Sequence, residues 1–156
     1  MTISAADIMS APPITVAPGA TVAETAALMA AKHISAVPVC TADGTLVGLV
    51  SEGDILRPFR ESVRQQRDWW LGLIAEGEEL SQAFLDYMRT DTRSASDVMV
   101  RHVITAAPDA TLPQLAELMT SRAIKRIPIL RDGRLVGIVS RADLVAALAR
   151  SPGMLV

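Results

Sequence analysis

Gly137-Ile138-Val139-Ser140-Arg141-Ala142-Asp143 joins a run of apolar, β-branched residues to a serine, with an acid three positions later. An apolar run that ends in Ser-x-x-Asp predicts a buried strand leading directly into a capped helix. The same arrangement stands earlier as Gly48-Leu49-Val50-Ser51-Glu52-Gly53-Asp54. The chain builds this corner twice, and the remaining residues can be read outward from the two.

Sliding the sequence by 90 positions lays Asp7 on Asp97, Met9 on Met99, Ile14-Thr15 on Ile104-Thr105, Pro18 on Pro108 and Thr21 on Thr111. Leu28-Met29 then falls on Leu118-Met119, Ile34 on Ile124 and Pro38 on Pro128. After one deleted residue the offset becomes 89, and Asp43-Gly44, Val47-Gly48, Ser51 and Asp54 meet Asp132-Gly133, Val136-Gly137, Ser140 and Asp143. Two such copies, separated by a dissimilar segment, are a duplicated supersecondary unit; a solenoid would want three or more.

Each copy has the same local grammar. Ile14-Thr15-Val16 is a short strand, and Thr21-Val22-Ala23-Glu24 is a capping box opening an alanine-rich helix that runs to about Lys32. In the second copy Thr111 and Gln114 take the capping roles, with Pro113 in the first turn, where its missing N–H does no harm. Val37-Pro38-Val39-Cys40 and Leu46 to Val50 then flank Asp43-Gly44, a hairpin signal, and Ile127 to Leu130 and Leu135 to Val139 flank Asp132-Gly133. A second helix follows each Ser-x-x-Asp corner. Each copy therefore reads β-α-β-β-α, and two such units can bury their sheet faces against each other.

Composition narrows the function. Half of the 156 residues are hydrophobic, yet no apolar stretch approaches the roughly eighteen residues needed to cross a bilayer, and no basic segment leads into an apolar one as in a secretory leader. The sequence predicts a soluble, cytoplasmic protein. Cys40 is the single cysteine, which excludes an internal disulfide, and its apolar neighbours predict a buried, inert thiol. A formal net charge of −2 argues against nucleic-acid binding.

Asp-x-Met, an Ile-x-x-x-Pro-x strand, an Asp-Gly hairpin and Gly-x-x-Ser-x-x-Asp together resemble the cystathionine beta-synthase (CBS) domain, over about residues 3–57 and 94–150. In tandem they resemble a CBS pair, or Bateman module. The fold class this implies is α/β (α+β): two tandem β-α-β-β-α units packed around a pseudo-twofold axis, with a helical insertion between them. The expected organisation is repeat 1 over residues 1–57, a Trp-rich insertion over 58–93, repeat 2 over 94–150 and a tail over 151–156. The resemblance implies a regulatory module that binds adenosine-containing ligands (AMP, ADP, ATP, NAD or S-adenosylmethionine) in two clefts, needs no cofactor and forms a homodimer.

The chemistry of the corner agrees. A helix N-terminus offers unpaired N–H groups and partial positive charge, suited to a phosphate or a hydroxyl-rich group. A carboxylate one turn in, as at Asp143, can accept from both hydroxyls of a ribose. Ser-x-x-Asp is equally an ordinary N-cap with an acid that complements the helix dipole. Carried over from the family pattern, one site uses Lys125, Arg126, Ile138, Ser140 and Asp143, completed by Met9, Ile14, Ile34 and Ser35. The other uses Ser35, Ala36, Leu49, Ser51 and Asp54, completed by Met99, Ile104, Ile124 and Lys125. Arg126 is replaced by Ala36 between the two, and Arg141 by Glu52. Phosphate gains charge-assisted hydrogen bonds from Arg or Lys and is repelled by Glu, so the Asp143 site is expected to be the stronger.

The segment 58–93 holds all the aromatic residues of the chain: Phe59, Trp69, Trp70, Phe84 and Tyr87. Arg57, Arg60, Arg64 and Arg67 recur at intervals of three or four and predict a helix with one basic face, and a second helical stretch is expected from about Glu78 to Met88. Paired tryptophans after an Arg-rich helix also resemble bacterial CBS pairs that carry a C-terminal BON domain, for which the chain has no room before Val156. Trp69, Trp70, Phe84 and Tyr87 are candidate anchors of an oligomer or partner interface.

No enzyme signature appears. Gly-x-Gly-x-x-Gly, a phosphate-loop Gly-Lys-Ser/Thr and Gly-x-Ser-x-Gly are all absent, and His33 and His102 have no partner at metal-ligand spacing. His33 suits a helix C-terminus. The expected function is non-enzymatic: a sensor of a small adenosyl ligand that signals through shape or through contact with an effector protein of unknown identity. The alternative is a constitutive dimerisation or scaffold module with vestigial clefts, working through the Trp-rich insertion.

Overall fold

The structure is a computed structural model in which residues 2–57 and 92–151 are described. Expectations for the insertion, including Phe59, Arg60, Arg64, Arg67, Trp69, Trp70, Phe84 and Tyr87, and for the tail beyond residue 151 lie outside the described residues. The elements in chain order are α1 (Ala5–Ile8), α2 (Val22–Lys32), β1 (Ala36–Cys40), β2 (Leu46–Ser51) and a helix over residues 52–57, α3. Then come α4 (Ala95–Val98), α5 (Leu112–Ser121), β3 (Arg126–Arg131), β4 (Arg134–Ser140) and α6 (Arg141–Arg150). β1 pairs with β2 and β3 with β4, giving two small sheets in a mixed α+β fold.

The long helices begin as the sequence predicts. Thr21 Oγ1 accepts from Glu24 N at 3.0 Å. At α5 the box is reciprocal, Gln114 N donating to Thr111 Oγ1 at 3.3 Å and Thr111 N to Gln114 Oε1 at 3.0 Å. Such a cap stabilises a helix by about 1 kcal/mol. Val22, Thr25 and Met29 on α2, and Leu112, Leu115 and Met119 on α5, are buried at helical spacing. Thr25 is buried without cost to its hydroxyl, which donates to Thr21 O at 2.8 Å. α2 ends where His33 turns left-handed (φ 54°) and Ile34 N reaches back to Met29 O at 3.0 Å, closing the last turn.

The missing residue in the second copy changes the hairpin. Asp132 and Gly133, both at positive φ (53° and 80°), make a two-residue turn of the mirror-image type that matches strand twist. The first copy has three residues in its turn: Gly44 N donates to Thr41 O at 3.0 Å and Gly44 itself takes the left-handed position (φ 88°).

The strand expected at Ile14-Thr15-Val16 is shorter than predicted. Only Val16 makes a bridge, parallel to Val39, and in the second copy only Ala106 does, parallel to Ile129. The reason lies in the partner strands. Lengthening either parallel ladder back to Ile14 or Ile104 would require an N–H from residue 38 or 128, and both are prolines.

The chain divides into two compact units that do not follow the order of the repeats. One, the Asp143 unit, gathers Met1–Thr15, Cys40–Val47 and His102–Val156; the other, the Asp54 unit, gathers Val16–Val39 and Gly48–Arg101. In the Asp143 unit Ala5 belongs to one core cluster with Leu112, Leu115, Ile127, Ile129, Val139 and Leu144, and Ile3, Ile8 and Met9 pack against it. Carbonyls of the loop before α5 satisfy the start of α1, Ala5 N donating to Ala110 O at 2.8 Å and Ala6 N to Pro108 O at 2.9 Å. In the Asp54 unit α4 is held the same way, by Ala95 N to Ala20 O at 2.7 Å and Ser96 N to Pro18 O at 3.0 Å, and Val22, Val37, Val39, Val50, Ala95 and Val98 are buried. No helix among the described residues is long and apolar enough to cross a membrane.

Candidate functional site

Each Ser-x-x-Asp corner is formed where a strand passes into a helix without a loop. β4 ends at Ser140 and α6 starts at Arg141. Ser140 N donates to Asp143 Oδ2 at 2.8 Å and Asp143 N to Ser140 Oγ at 3.2 Å. Arg141 N donates to Lys125 O at 3.0 Å, tying the residue before β3 to the first residue of α6. Two of the first N–H groups of α6 are therefore used internally. What the corner offers outward is chiefly a carboxylate, not a row of free N–H groups.

The Asp143 unit gathers most of the residues assigned to the stronger site. Arg126 stands opposite Ser140 in the β3–β4 register. Ser10 bridges Ile138 through hydrogen bonds of 2.9 and 3.2 Å, so the segment after α1 lies along the free edge of β4. Met9 lies over Gly137, where a Cβ would fall 2.7 Å from Met9 Cγ and closer still to its sulfur. Ile14 and Ile138 are half-buried, Lys125 and Arg141 exposed, Arg126 and Asp143 half-buried. Ile34 and Ser35 belong to the Asp54 unit.

The Asp54 unit repeats the construction. Leu49 pairs with Val100 through bonds of 3.0 and 2.9 Å, and Met99 covers Gly48, whose added Cβ would fall 2.7 Å from Met99 Cγ. Glu52 N donates to Ser35 O at 3.0 Å. Ser51 N and Ser51 Oγ donate to Asp54 Oδ2 at 2.9 and 3.0 Å. Ala36 is buried; Ile104 and Ile124, assigned to this site by the family pattern, lie in the Asp143 unit. A cavity of about 430 Å³ in the Asp54 unit lies on the helical side, lined by Ala30, Ser35, Glu52 and Leu56 among others, and does not reach Asp54.

The two carboxylates differ in a way that their shared motif does not predict. Asp54 is 5% exposed, and its Oδ1 accepts from Arg57 Nη2 at 2.7 Å. Asp143 is half-buried, and among the described residues its Oδ1 accepts no hydrogen bond. By sequence periodicity alone Arg57 belongs to the basic face of the insertion. Its spacing of three from Asp54 on a helix was the available signal for the pair.

Ser-x-x-Asp also occurs at Ser4/Asp7 and Ser94/Asp97, where it caps the four-residue helices α1 and α4. Ser4 N and Oγ donate to Asp7 Oδ2 at 2.8 and 3.0 Å, and Ser94 does the same to Asp97 at 2.8 and 3.1 Å. The backbone N–H of the serine first, and its hydroxyl second, hold both carboxyls below the usual range. The motif by itself is thus a cap; its place at a strand end distinguishes the other two. Burial pushes the Cys40 thiol up, keeping it protonated and unreactive. Among the described residues no group of His, Cys, Asp and Glu is arranged to hold a metal ion.

A family model described as the CBS domain matches residues 5–61 and 95–150. The uncharacterised protein MJ1426 of Methanocaldococcus jannaschii is 38% identical over 131 residues, covering 74% of this chain and 73% of its own. Among solved structures, the CBS domain pair of protein MJ0100, in complex with 5′-methylthioadenosine and S-adenosyl-L-methionine, is similar with a TM-score of 0.71 at 24% identity, over 96% of this chain and 98% of that one. CBSX2 in complex with AMP is similar with a TM-score of 0.71 at 23% identity, over 94% and 96%. At these identities the two structures establish a shared fold.

Proposed function

We propose, on the premise that the chain belongs to the CBS domain family as a tandem pair, that it is a regulatory module whose Asp143 corner takes an adenosine-containing ligand. The observation that carries this reading is the corner itself. It presents a half-buried carboxylate with Oδ1 unengaged among the described residues, at the end of a strand edged by Met9 and Ser10, with Lys125, Arg126 and Arg141 in the same unit. The carboxylate suits the vicinal hydroxyls of a ribose, the cations suit a phosphate, and Met9, Ile14 and Ile138 supply apolar surface for a base. The second site, built on Ala36, Leu49, Ser51, Asp54 and Met99, is the weaker.

The module is regulatory and not catalytic, acts in the cytoplasm as a homodimer, and passes its state to an effector protein. A ligand moves such an equilibrium only by binding one arrangement better than another. Solved pairs of this fold that hold AMP, or 5′-methylthioadenosine and S-adenosyl-L-methionine, set the choice of probes.

The test is calorimetric titration of the folded protein with AMP, ATP, NAD and S-adenosylmethionine, beside Asp143→Ala and Asp54→Ala. Saturable binding that is lost mainly with Asp143→Ala, the fold being retained, is the expected result. No binding of any of the four by the folded protein would sink the sensor reading and leave the scaffold.

A further inference from the structure

The two corners align in sequence at an offset of 89, with one substitution that alters the surroundings of the carboxylate: Arg57 in the first copy is Ala146 in the second. Oδ2 of Asp54 is taken by Ser51, and Oδ1, the atom left to face a ligand, already accepts from the Arg57 guanidinium at 2.7 Å. Asp143 Oδ2 accepts from Ser140 N in the same way, and among the described residues its Oδ1 accepts from none. The Asp54 carboxylate is buried while Arg57 is 58% exposed. The guanidinium thus reaches in from the surface onto the acceptor.

We infer that Arg57 is a built-in competitor for the sugar hydroxyls of any ligand at the Asp54 corner, so that this corner is closed by its own helix and not merely short of cations. The inference rests on the adenosyl reading above and adds a cause for the inequality of the two sites. A ribose diol that approaches Asp54 must displace a charged donor, whereas at Asp143 it meets an unengaged oxygen. A charged donor on a carboxylate makes a stronger hydrogen bond than a neutral hydroxyl does, which sets the direction of the competition. Because Arg57 is itself exposed, its replacement by Gln removes no core side chain and keeps a hydrogen-bond donor near the buried Asp54. Ala146 is also exposed, so an arginine can be installed there with equal ease.

The experiment uses adenosine, which carries the ribose without a phosphate that could itself be attracted to an arginine. Titrations are made on the full chain. In an Asp143→Ala background, Arg57→Gln is expected to tighten adenosine binding at the remaining corner by on the order of fivefold, because the diol no longer has to displace a charge-assisted hydrogen bond. In an Asp54→Ala background, Ala146→Arg is expected to weaken adenosine binding at the Asp143 corner by a similar factor. Circular dichroism confirms that each variant is folded.

Unchanged or weaker binding after Arg57→Gln overturns the inference, since Arg57 would then be a bystander or a ligand contact. Unchanged binding after Ala146→Arg overturns it as well. Either failure leaves the adenosyl reading standing so long as the Asp143 corner of the unmodified protein binds. If neither corner of the unmodified protein binds adenosine or AMP, both readings fall together.

Discussion

Gly137 and Gly48 are required by what lies over them. The Met9 and Met99 side chains cross so close that a Cβ at Gly137 or Gly48 would fall 2.7 Å from the methionine Cγ. Contacts under 3 Å force a shift, and overpacking of this kind costs about 1–3 kcal/mol. Gly137→Ala should therefore lower stability by that amount in urea denaturation. Combining it with Met9→Ala should recover part of the loss, because the two sites share one contact; strictly additive effects would place the cause elsewhere. A single neighbour three positions on separates Asp54 from Asp143, which share type and motif.

At the scale of the element, one motif does two jobs. Ser4-x-x-Asp7 and Ser94-x-x-Asp97 start helices of only four residues, too short to stand without a cap and without the loop carbonyls that take their first N–H groups. Hydrogen bonds from the serines hold both acids below the ordinary aspartate value of 3.8, and for Asp97 the nearby Arg93 and Arg101 add to this. A carboxyl whose pKa is lower folded than unfolded contributes stability that is fully present above the unfolded value and is lost as pH falls through the folded one. Thermal melts taken downward from pH 5 should thus show a loss of stability that begins near pH 4 and continues below it. The double variant Asp7→Asn, Asp97→Asn should fall less steeply over the same range; an unchanged slope would assign the acid sensitivity to other carboxyls. The hairpins teach a related lesson. One deleted residue converts a three-residue turn with Gly44 left-handed into a two-residue turn with Asp132 and Gly133 left-handed, and the strands on either side are kept.

Across the whole molecule, each compact unit takes its short leader helix from a segment that precedes the other repeat. Ala5–Ile8 closes the core built by the second repeat, and Ala95–Val98 belongs to the unit that holds α2, β1 and α3. Deleting residues 2–10 removes the buried Ala5, uncovers surface packed by Ile3, Ile8 and Met9, and frees the edge of β4 at Ile138. The expected cost is about 2–4 kcal/mol, the scale of burying one or two full apolar side chains, read as a lower denaturation midpoint. Retention of the full midpoint would show that the leader is an ornament. Deletion should also weaken any ligand at the Asp143 corner, because Met9 goes with it.

The sequence by itself determined the repeat, the helix starts at Thr21 and Thr111, the hairpins at Asp43-Gly44 and Asp132-Gly133, and the two corners, because all of these rest on contacts within a few residues. Caps, turns and alternation are local physics and leave local traces. The leader helices carry the same trace, Ser-x-x-Asp, but with so short an apolar run behind it that the motif at Ser4 and Ser94 does not by itself predict a helix. What only the tertiary structure decided was which segment each leader serves, how far the strand at Ile14 extends, and which carboxylate is engaged. The first depends on apolar surfaces that meet across a hundred residues of chain, as Ala5 meets Leu112 and Leu115. The second depends on a partner strand whose proline cannot donate. The third depends on where one arginine side chain comes to rest, a choice that helical spacing permits and only the folded corner makes.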